Sequence, residues 1–376
     1  KISIDKIYAH GSHHIWLFQV QGKMVGELRT DVSIETRGGP FSLSNGDVDV
    51  DLESLIINGD NEIVREGRIE GSVEFLPFVA KDNKGLKILE FLNLDVSVRT
   101  ETQRLAFLNI YLNNFNGLKI DGTGLVQGRV HLRQGRLEDG SSVEVAARKL
   151  SLDLLDHRLE GEGEVSIKTL DTSEMTDAQI RFDRLEAYDT TRDVMLFSGD
   201  GVAVEARGNR SILPSDDTPF IAKRLAISIP AVEVPDLAVY QAYLPDQWLF
   251  NLYGGNGKLQ GDAEVTQTGL SSDLNLISET ADVGFKEYRF TSNLDMALKA
   301  ESPAITSGID VSGSYVQLKG ATLSHDEQRS STPWHTGVNI SQGKIRLLLP
   351  EDVPSDAGFL ELYQHLQGKE IVTLLD

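Results

Sequence analysis

The stretch VQGRVHL, Val126–Leu132, places small or apolar residues at every second position and polar residues between them. Successive side chains of a β-strand point to opposite faces of its sheet, so this spacing predicts a strand with one apolar and one polar face. The stretch LQGDAEV, Leu259–Val265, repeats the alternation with acids in place of bases. Weaker echoes in Glu66–Phe75 and Leu159–Ile167 predict further strands of the same kind.

Both stretches belong to a segment that occurs twice in the chain. In the first copy, an amphipathic stretch that begins at Leu105 precedes the glycine frame Gly122–Gly128. In the second copy, a similar stretch begins at Leu237 and precedes Gly255–Gly261. The offset is 132 residues for the amphipathic part (237 − 105) and 133 for the glycine part (255 − 122). Self-similarity of this kind predicts a modular, elongated architecture.

The remaining pattern predicts a mainly β chain with few helices. Short helical periodicity occurs only around Leu86–Leu92, Leu105–Asn113, Asp236–Leu244 and Asp356–Gln367, and such islands are too short to form a bundle. We therefore expect an elongated, curled antiparallel β-sheet that forms a groove. A loop-like region at 207–219 divides the prediction into a first β-rich half, 1–206, and a second, 220–376, that ends in a short helix.

Turn residues between the predicted strands favour antiparallel connections. Asn58–Asn61, Asp139-Gly140 and Asp156-His157 are turn candidates, and the short gaps between strands predict a meander. The period of two has two explanations, however. An open apolar groove and an ordinary filled β-sheet core both require it.

Composition limits the classes of function. The 376 residues carry a formal net charge of −21 spread along the chain, which argues against a nucleic-acid partner held through phosphates. The chain has no cysteine, which excludes disulfides and thiolate metal sites and favours an oxidising compartment. No apolar run reaches the ~20 residues that cross a bilayer. Because the sequence begins at Lys1, we expect a segment whose signal or anchor lies elsewhere.

No catalytic signature is present, so we predict neither an enzyme nor a cofactor. The nucleophile elbow, the phosphate-binding loop and the zinc-binding helix motif are all missing. Three clusters were weighed as sites and interpreted as polar surface. They are the histidines His10, His13 and His14 for a metal, the aspartates Asp47, Asp49 and Asp51 for calcium, and the pair Glu160 and Glu162 for glycan hydrolysis.

The alternating apolar positions are the candidate binding site. Glycines at Gly128, Gly163 and Gly261 lie on the apolar side, where they permit sharp curvature or leave room for hydrocarbon. A dry trough of this kind binds an acyl chain with ~0.8 kcal/mol for each buried methylene. The predicted lining residues are Val126, Gly128, Val130, Leu132, Gly163, Val165, Ile167, Leu259, Gly261, Ala263 and Val265.

The second copy resembles a known family. Asp236–Pro245, which ends in Tyr-Leu-Pro, followed by the Gly-x-Gly-x-Leu-x-Gly frame of Gly255–Gly261, resembles the AsmA-like family of Gram-negative envelope proteins, which includes TamB-like and YdbH-like members. The first copy departs from the motif with Asn113 where the proline would be. The resemblance covers Leu105–Ile167 and Val234–Val316.

The resemblance implies a periplasmic segment of a protein anchored in the inner membrane. Family members are expected to fold as a long curled β-sheet with an apolar concave side and to pass phospholipids toward the outer membrane, without catalytic residues. The implied partner is phospholipid, with other envelope proteins possible. The anchor is expected outside this segment.

Two other functions remain open from the sequence. The sheet could be a filled core of a structural or assembly protein that docks an envelope partner through its acidic exterior. A β-helical enzyme acting on glycans would need carboxylates that converge in a cleft.

Overall fold

The computed structural model describes most of the chain. The described residues are 2–17, 20–35, 37–57, 61–83, 85–106, 109, 118–154, 156–170, 175–210, 223–243, 250–266, 268–286, 288–304, 307–325, 328–329, 332–348 and 372–375. Of the predicted helices, Asp356–Gln367 lies outside these residues, as does most of Leu105–Asn113 and of the predicted boundary 207–219.

The fold is mainly β, as predicted. Strands account for 77% of the described residues, far above the ~20–25% typical of globular proteins, and belong to one large antiparallel sheet. The strands of the first part are β1 Ile2–Leu17, β2 Val20–Ile34, β3 Phe41–Ile57, β4 Asn61–Phe78, β5 Leu92–Thr102, β6 Leu118–Arg133, β7 Arg136–Leu137, β8 Ser142–Leu154, β9 His157–Thr169, β10 Met175–Asp189, β11 Val194–Gly199 and β12 Ala203–Asn209. Those that follow are β13 Arg224–Val234, β14 Phe250–Gly254, β15 Gly257–Thr266, β16 Leu270–Phe285, β17 Tyr288–Ser302, β18 Ile309–Asp310, β19 Tyr315–His325, β20 Gln328–Arg329, β21 Trp334–Asn339, β22 Lys344–Leu348 and β23 Val372–Leu375.

Two of the predicted helical islands are short 3₁₀ helices. The first spans Gly85–Phe91 and the second Leu237–Tyr243. A 3₁₀ helix of this length packs as a connector rather than as a core element. The prediction that strands build the body is therefore confirmed for the described residues.

The described residues form two compact units. The first takes its members from 1–152, 162–180 and 207–221, and the second from 153–161, 181–206 and 222–376. The division into halves at 1–206 and 220–376 stays a prediction.

In the first unit, strand register brings apolar positions into rows across the sheet. Pairing of β2 to β6 in sequence order aligns Gly26, Val50, Ile69, Val98 and Gly128 in one such row. The next row along the strands contains Leu28, Val48, Gly71, Val96 and Val130. Because directly opposed residues share a face, these rows form one apolar face of the first unit.

Aromatic rings cover one end of that face. Phe41 pairs with Phe78 across β3 and β4, and their ring centroids lie 5.8 Å apart. Phe91, at the end of the first 3₁₀ helix, stacks on Phe78 at 5.4 Å. Aromatic contacts at these distances stabilise a cluster beyond the area they bury.

The sequence repeat is also a structural repeat. Strand β5 and strand β13 begin at Leu92 and Arg224 and have the same length, with an offset of 132 residues (224 − 92). Thr102 at the end of β5 pairs with Gly124, and Val234 at the end of β13 pairs with Gly257.

Equivalent side chains in the two copies also make equivalent contacts. Leu105 and its equivalent Leu237 are both 0% exposed. The Asn109 Oδ1 atom accepts a hydrogen bond from the Ile120 N–H at 2.7 Å, and the Gln241 Oε1 atom accepts one from the Leu252 N–H at 2.6 Å. Asn109 and Gln241 are 132 residues apart, and so are Ile120 and Leu252, whose backbone N–H groups they bind. The helical segment and the strand after it are thus joined in the same way in both copies.

Candidate functional site

The first group of predicted lining residues shares one face of the first unit. Val126, Gly128, Val130 and Leu132 alternate along β6 with exposed or partly exposed polar residues. They pair with Thr100, Val98, Val96 and Leu94 of β5. Val126 and Leu132 are only 6% and 2% exposed, so this part of the face is largely covered by the protein itself.

The second group lies on β9 and is also mostly covered. Gly163 and Val165 are buried, and Ile167 is half-buried. Glu162 and Glu164, which alternate with them, are exposed. The predicted division into an apolar and a polar face is therefore present in this strand as well.

The third group occupies the equivalent strand of the second unit. Leu259, Gly261, Ala263 and Val265 alternate along β15, and each is half-buried. In the pairings with β13 and β16, Ala263 lies between Ile227 and Ser272. The site residues predicted on β6 and β15 thus take equivalent positions in the two copies but differ in exposure.

Around this third group lies a patch that we name the open stretch. Its members come from four neighbouring strands, β13, β15, β16 and β17, and each is half-buried or exposed. Leu298 is the most accessible, at 46%. No member carries a charge, and nine of the ten are aliphatic or glycine. The open stretch comprises Leu225, Ile227, Gly261, Ala263, Val265, Leu270, Ser272, Leu274, Leu298 and Ala300.

Burial increases along the strands from the open stretch toward the second 3₁₀ helix. On β13, Ile227 is half-buried, Ile229 is 7% exposed, and Val232 and Val234 are 2% and 1% exposed. On β16, Leu276 is 9% exposed and Val283 is fully buried. We name the buried part the closed end.

Leu237 of the second 3₁₀ helix belongs to the closed end. It packs with buried residues of β13, β16, β17 and β19, and half-buried residues around them extend the cluster. The buried members are Val234, Leu237, Leu276, Ala281, Val283, Leu294, Leu318 and Ala321. Leu259 and Met296 pack against this cluster, which therefore adjoins the open stretch.

Hydrogen bonds hold the second 3₁₀ helix in place. The Leu237 N–H donates to the Gly255 carbonyl oxygen at 2.7 Å, and Asp236 Oδ1 accepts from the Ala238 N–H at 2.9 Å. The Tyr240 hydroxyl donates to the Leu196 carbonyl at 3.0 Å, and Arg192 Nη1 donates to the Val239 carbonyl at 2.6 Å. Such local and long-range bonds at a helix terminus fix its position on the sheet.

The glycines do not leave room for hydrocarbon, contrary to one interpretation of the sequence. A Cβ atom on Gly128 would lie 2.2 Å from the Ser142 carbonyl oxygen, and one on Gly261 would lie 2.0 Å from that of Asp273. The backbone of the neighbouring strand fills the space at both positions. Gly261 also has a φ of +144°, in a region that favours glycine. These glycines permit close approach of strands, which is the curvature interpretation.

The polar face next to the open stretch is acidic. A cavity of about 430 Å³ in the second unit is lined by five carboxylates, one arginine and uncharged residues, which include Ile227, Ala263 and Ser272 of the open stretch. Arg224 donates to Glu264 and to Glu205 at 3.0 Å each, and these hydrogen bonds raise the pKa of its guanidinium group. The carboxylates are Glu205, Asp262, Glu264, Asp273 and Glu301. This charged lining suits a cationic group rather than an acyl chain.

The structure also shows where the other clusters singled out in the sequence lie. His13 lies on the opposite face of β1 from His10 and His14, because neighbouring strand residues alternate in direction. Among the described residues, no group of histidine and acidic side chains is arranged to hold a metal ion.

Both acidic clusters lie on polar faces of the sheet. Arg68 of β4 pairs with Asp49 at 2.7 Å and with Asp51 at 3.3 Å, as cross-strand neighbours do on a solvated face. Glu160 and Glu162 are exposed on β9. Arg158 lies 3.6 Å from Glu160.

Several members of the open stretch were missed by sequence reasoning. Leu225 and Ile227 alternate in β13, and Leu270 and Leu274 alternate in β16, so the same period of two marks them. The pairing that brings Leu298 beside Leu274 is a tertiary fact and has no signal in the sequence.

In the part of the chain that the structure describes, no helix is long and apolar enough to cross a membrane. Comparison with protein-family models, with curated proteins and with solved structures gave no match.

Proposed function

We propose that this chain binds acyl chains of phospholipids on the apolar face of its β-sheet, as a non-catalytic periplasmic segment of an AsmA-like protein that binds or conducts lipid between the inner and outer membranes. The observation that carries the proposal is the open stretch. It gathers uncharged side chains from four strands on one face, and none of them is buried.

The physical support is the unfavourable exposure of that surface. When a ligand covers apolar surface that was exposed to water, the complex gains ~25 cal/mol of favourable free energy for each Å² covered. An acyl chain has no polar atom to satisfy, so an uncharged face is sufficient to hold it. Phospholipid is the envelope component that supplies such chains.

The charge of the chain indicates which part of the lipid it would hold. The net charge is −21, and Arg224, which precedes Leu225 of the open stretch, is paired with two glutamates. An anionic headgroup is therefore not attracted by this surface. The proposed binding acts through the acyl chains, with the headgroup left in solvent.

A second candidate is a structural or assembly role in which the acidic surface docks an envelope partner. The acidic cavity in the second unit favours it, because five carboxylates and one arginine leave an excess of negative charge there. The partner would carry a basic segment, and its binding would weaken with added salt.

A lipid extraction experiment tests the first proposal. The protein would be produced in a Gram-negative host, purified without detergent, and extracted with organic solvent for mass spectrometry. We expect phospholipid with wild type and at least a severalfold loss with Ala263→Asp, which places a charge in the open stretch. The matched control is Ala226→Asp, at a half-buried alanine of the polar face that pairs with Glu264.

The outcomes separate the two candidates. Phospholipid retained by wild type and by Ala226→Asp, but lost from Ala263→Asp, supports acyl-chain binding on the apolar face. Equal lipid content in all three proteins, or none in wild type, contradicts it. Circular dichroism of each variant checks that the sheet is assembled.

A further inference from the structure

We infer that Leu237 ends the accessible part of the apolar face in the second unit and so sets the longest acyl chain that the face holds. The inference rests on the proposed lipid-binding function and adds a specificity-determining residue to it. It follows from the buried cluster that contains Leu237 and that borders the open stretch along the strands.

The first step is that the face closes abruptly. Along β13 the side chains change from half-buried at Ile227 to 7% exposed at Ile229 and 2% at Val232. Further along the strands, the face belongs to the buried cluster that contains Leu237, which is 0% exposed. A ligand chain lying along the strands therefore meets protein atoms there.

The second step is that the obstacle is fixed. The Leu237 N–H donates to the Gly255 carbonyl, the Tyr240 hydroxyl donates to the Leu196 carbonyl of β11, and Arg192 donates to the Val239 carbonyl of the helix. A buried leucine whose backbone is held in this way cannot swing aside without breaking those bonds. The end of the open stretch is therefore a fixed obstacle that does not open for a ligand chain.

The third step concerns length. From Leu225 to Ile229 is four strand residues, or roughly 13 Å at the usual rise per residue. The hydrocarbon part of one bilayer leaflet is about 15 Å, half of the usual bilayer core. The open stretch therefore matches about one acyl chain in length along the strand direction. Chains that exceed this limit would leave their last methylenes in water.

Competition binding measures this limit. A fluorescent fatty acid would be displaced from the wild-type protein by a homologous series of saturated fatty acids, each below its critical micelle concentration. Each added methylene should raise affinity about fourfold while it is buried. We expect the gain to stop at a limiting length in wild type and to continue to longer chains in Leu237→Ala. Beyond the limit, the variant should bind the longer chains at least about fourfold more tightly than wild type.

The control variant is Leu105→Ala. Leu105 is the equivalent residue of the first copy and is also 0% exposed, so the same side chain is removed from an equally buried place. Its unit does not contain the open stretch, so the limiting length should remain that of wild type. Leu237→Val, which removes less volume, keeps the test available if Leu237→Ala does not fold, and its limit should lie slightly above that of wild type.

Two failures are distinguishable. If no fatty acid displaces the probe from any of the proteins, acyl-chain binding itself is wrong. If binding occurs but the limiting length is unchanged in both Leu237 variants, or moves equally in Leu105→Ala, acyl-chain binding stands and the role of Leu237 is overturned.

Discussion

The two copies of the repeat place equivalent residues on the same kind of face but cover them differently. Val126 and Leu132 of the first copy are 6% and 2% exposed, whereas their equivalents Leu259 and Val265 are half-buried. Strand period and register are common to both. Exposure differs because it depends on what packs above the face, and this is what separates a core from a binding surface.

The first unit covers one end of its face with an aromatic ring. Phe91 immediately precedes β5 and stacks on Phe78 there. In the second copy, β13 shifts register between Ile229 and Val232, so Leu225 opposes Val265 as Leu94 opposes Leu132. The residue before β13 is Lys223, which supplies no aromatic cover. The corresponding end of the face in the second copy contains Leu225 and Ile227, which belong to the open stretch.

The largest predicted effect tests this contrast with one substitution at two equivalent positions. Leu132→Asp buries a carboxylate among apolar side chains and should lower the free energy of unfolding by more than about 4 kcal/mol. Val265→Asp keeps contact with water and should cost about 1 kcal/mol. Urea unfolding followed by circular dichroism measures both. An equal loss of unfolding free energy in the two variants would mean that Leu132 and Val265 are equally buried.

A smaller effect tests the equivalence of the two helical segments. Leu105→Ala and Leu237→Ala each remove a fully buried leucine, so each should lower the free energy of unfolding by about 2–5 kcal/mol. The same unfolding assay applies. A cost near zero for either variant would show that its helical segment is not packed on the sheet.

The glycine substitutions should cost less again. Gly128→Ala and Gly261→Ala place a methyl group against the carbonyl oxygen of the neighbouring strand, and we expect about 1–3 kcal/mol of destabilisation for each. Thermal unfolding gives the values. If either variant is as stable as wild type, close approach of the strands is not what requires glycine there. Lipid binding gained in these variants would also contradict the curvature interpretation.

The smallest effect is a pH dependence within the second unit. The hydrogen bond from Lys319, followed by that from the Tyr315 hydroxyl, holds the pKa of Asp295 below its usual value. Because the pKa is lower in the folded state, this stability is present above the unfolded pKa of ~3.9 and is lost as pH falls through the folded value. The contribution should be below about 1 kcal/mol at this partly exposed site.

Asp295→Asn is the variant that checks the pH dependence. Its stability should fall less than that of wild type as the pH is lowered below ~4. Unfolding midpoints in urea across the acid range measure the difference. If the stabilities of wild type and variant fall in parallel as the pH is lowered, Asp295 does not contribute to the pH dependence.

Much of the fold could be predicted from the sequence because it depends on local patterns. The alternation in Val126–Leu132 and the glycine frame Gly255–Gly261 predicted antiparallel strands and a repeat, and both are present. Even the offset of 132 between the helical segments corresponds to equivalent contacts at Asn109 and Gln241. Period and spacing are properties of a single chain segment, so the sequence contains them.

Which residues of the apolar face are buried by other parts of the protein could not be predicted in the same way. Whether Leu132 is buried and Val265 accessible depends on side chains that arrive from other strands and from the 3₁₀ helices. The alternation at Gly128 and Gly261 was compatible with both curvature and a vacant space, and only the close carbonyl oxygens of Ser142 and Asp273 decide between them. Contacts of this kind join residues that are distant in the sequence, so no periodic pattern predicts them.

Site-specific photo-crosslinking gives the most direct test of the central claim, which is that the apolar face and not the acidic face meets lipid. A photoreactive phenylalanine analogue would replace Leu298, 46% exposed in the open stretch, or Ile277, 48% exposed on the opposite face between Lys258 and Asp295. After irradiation in living Gram-negative cells, mass spectrometry should detect a phospholipid adduct at position 298 and none at 277. Equal adducts at both positions, or an adduct at 277 alone, would contradict the account.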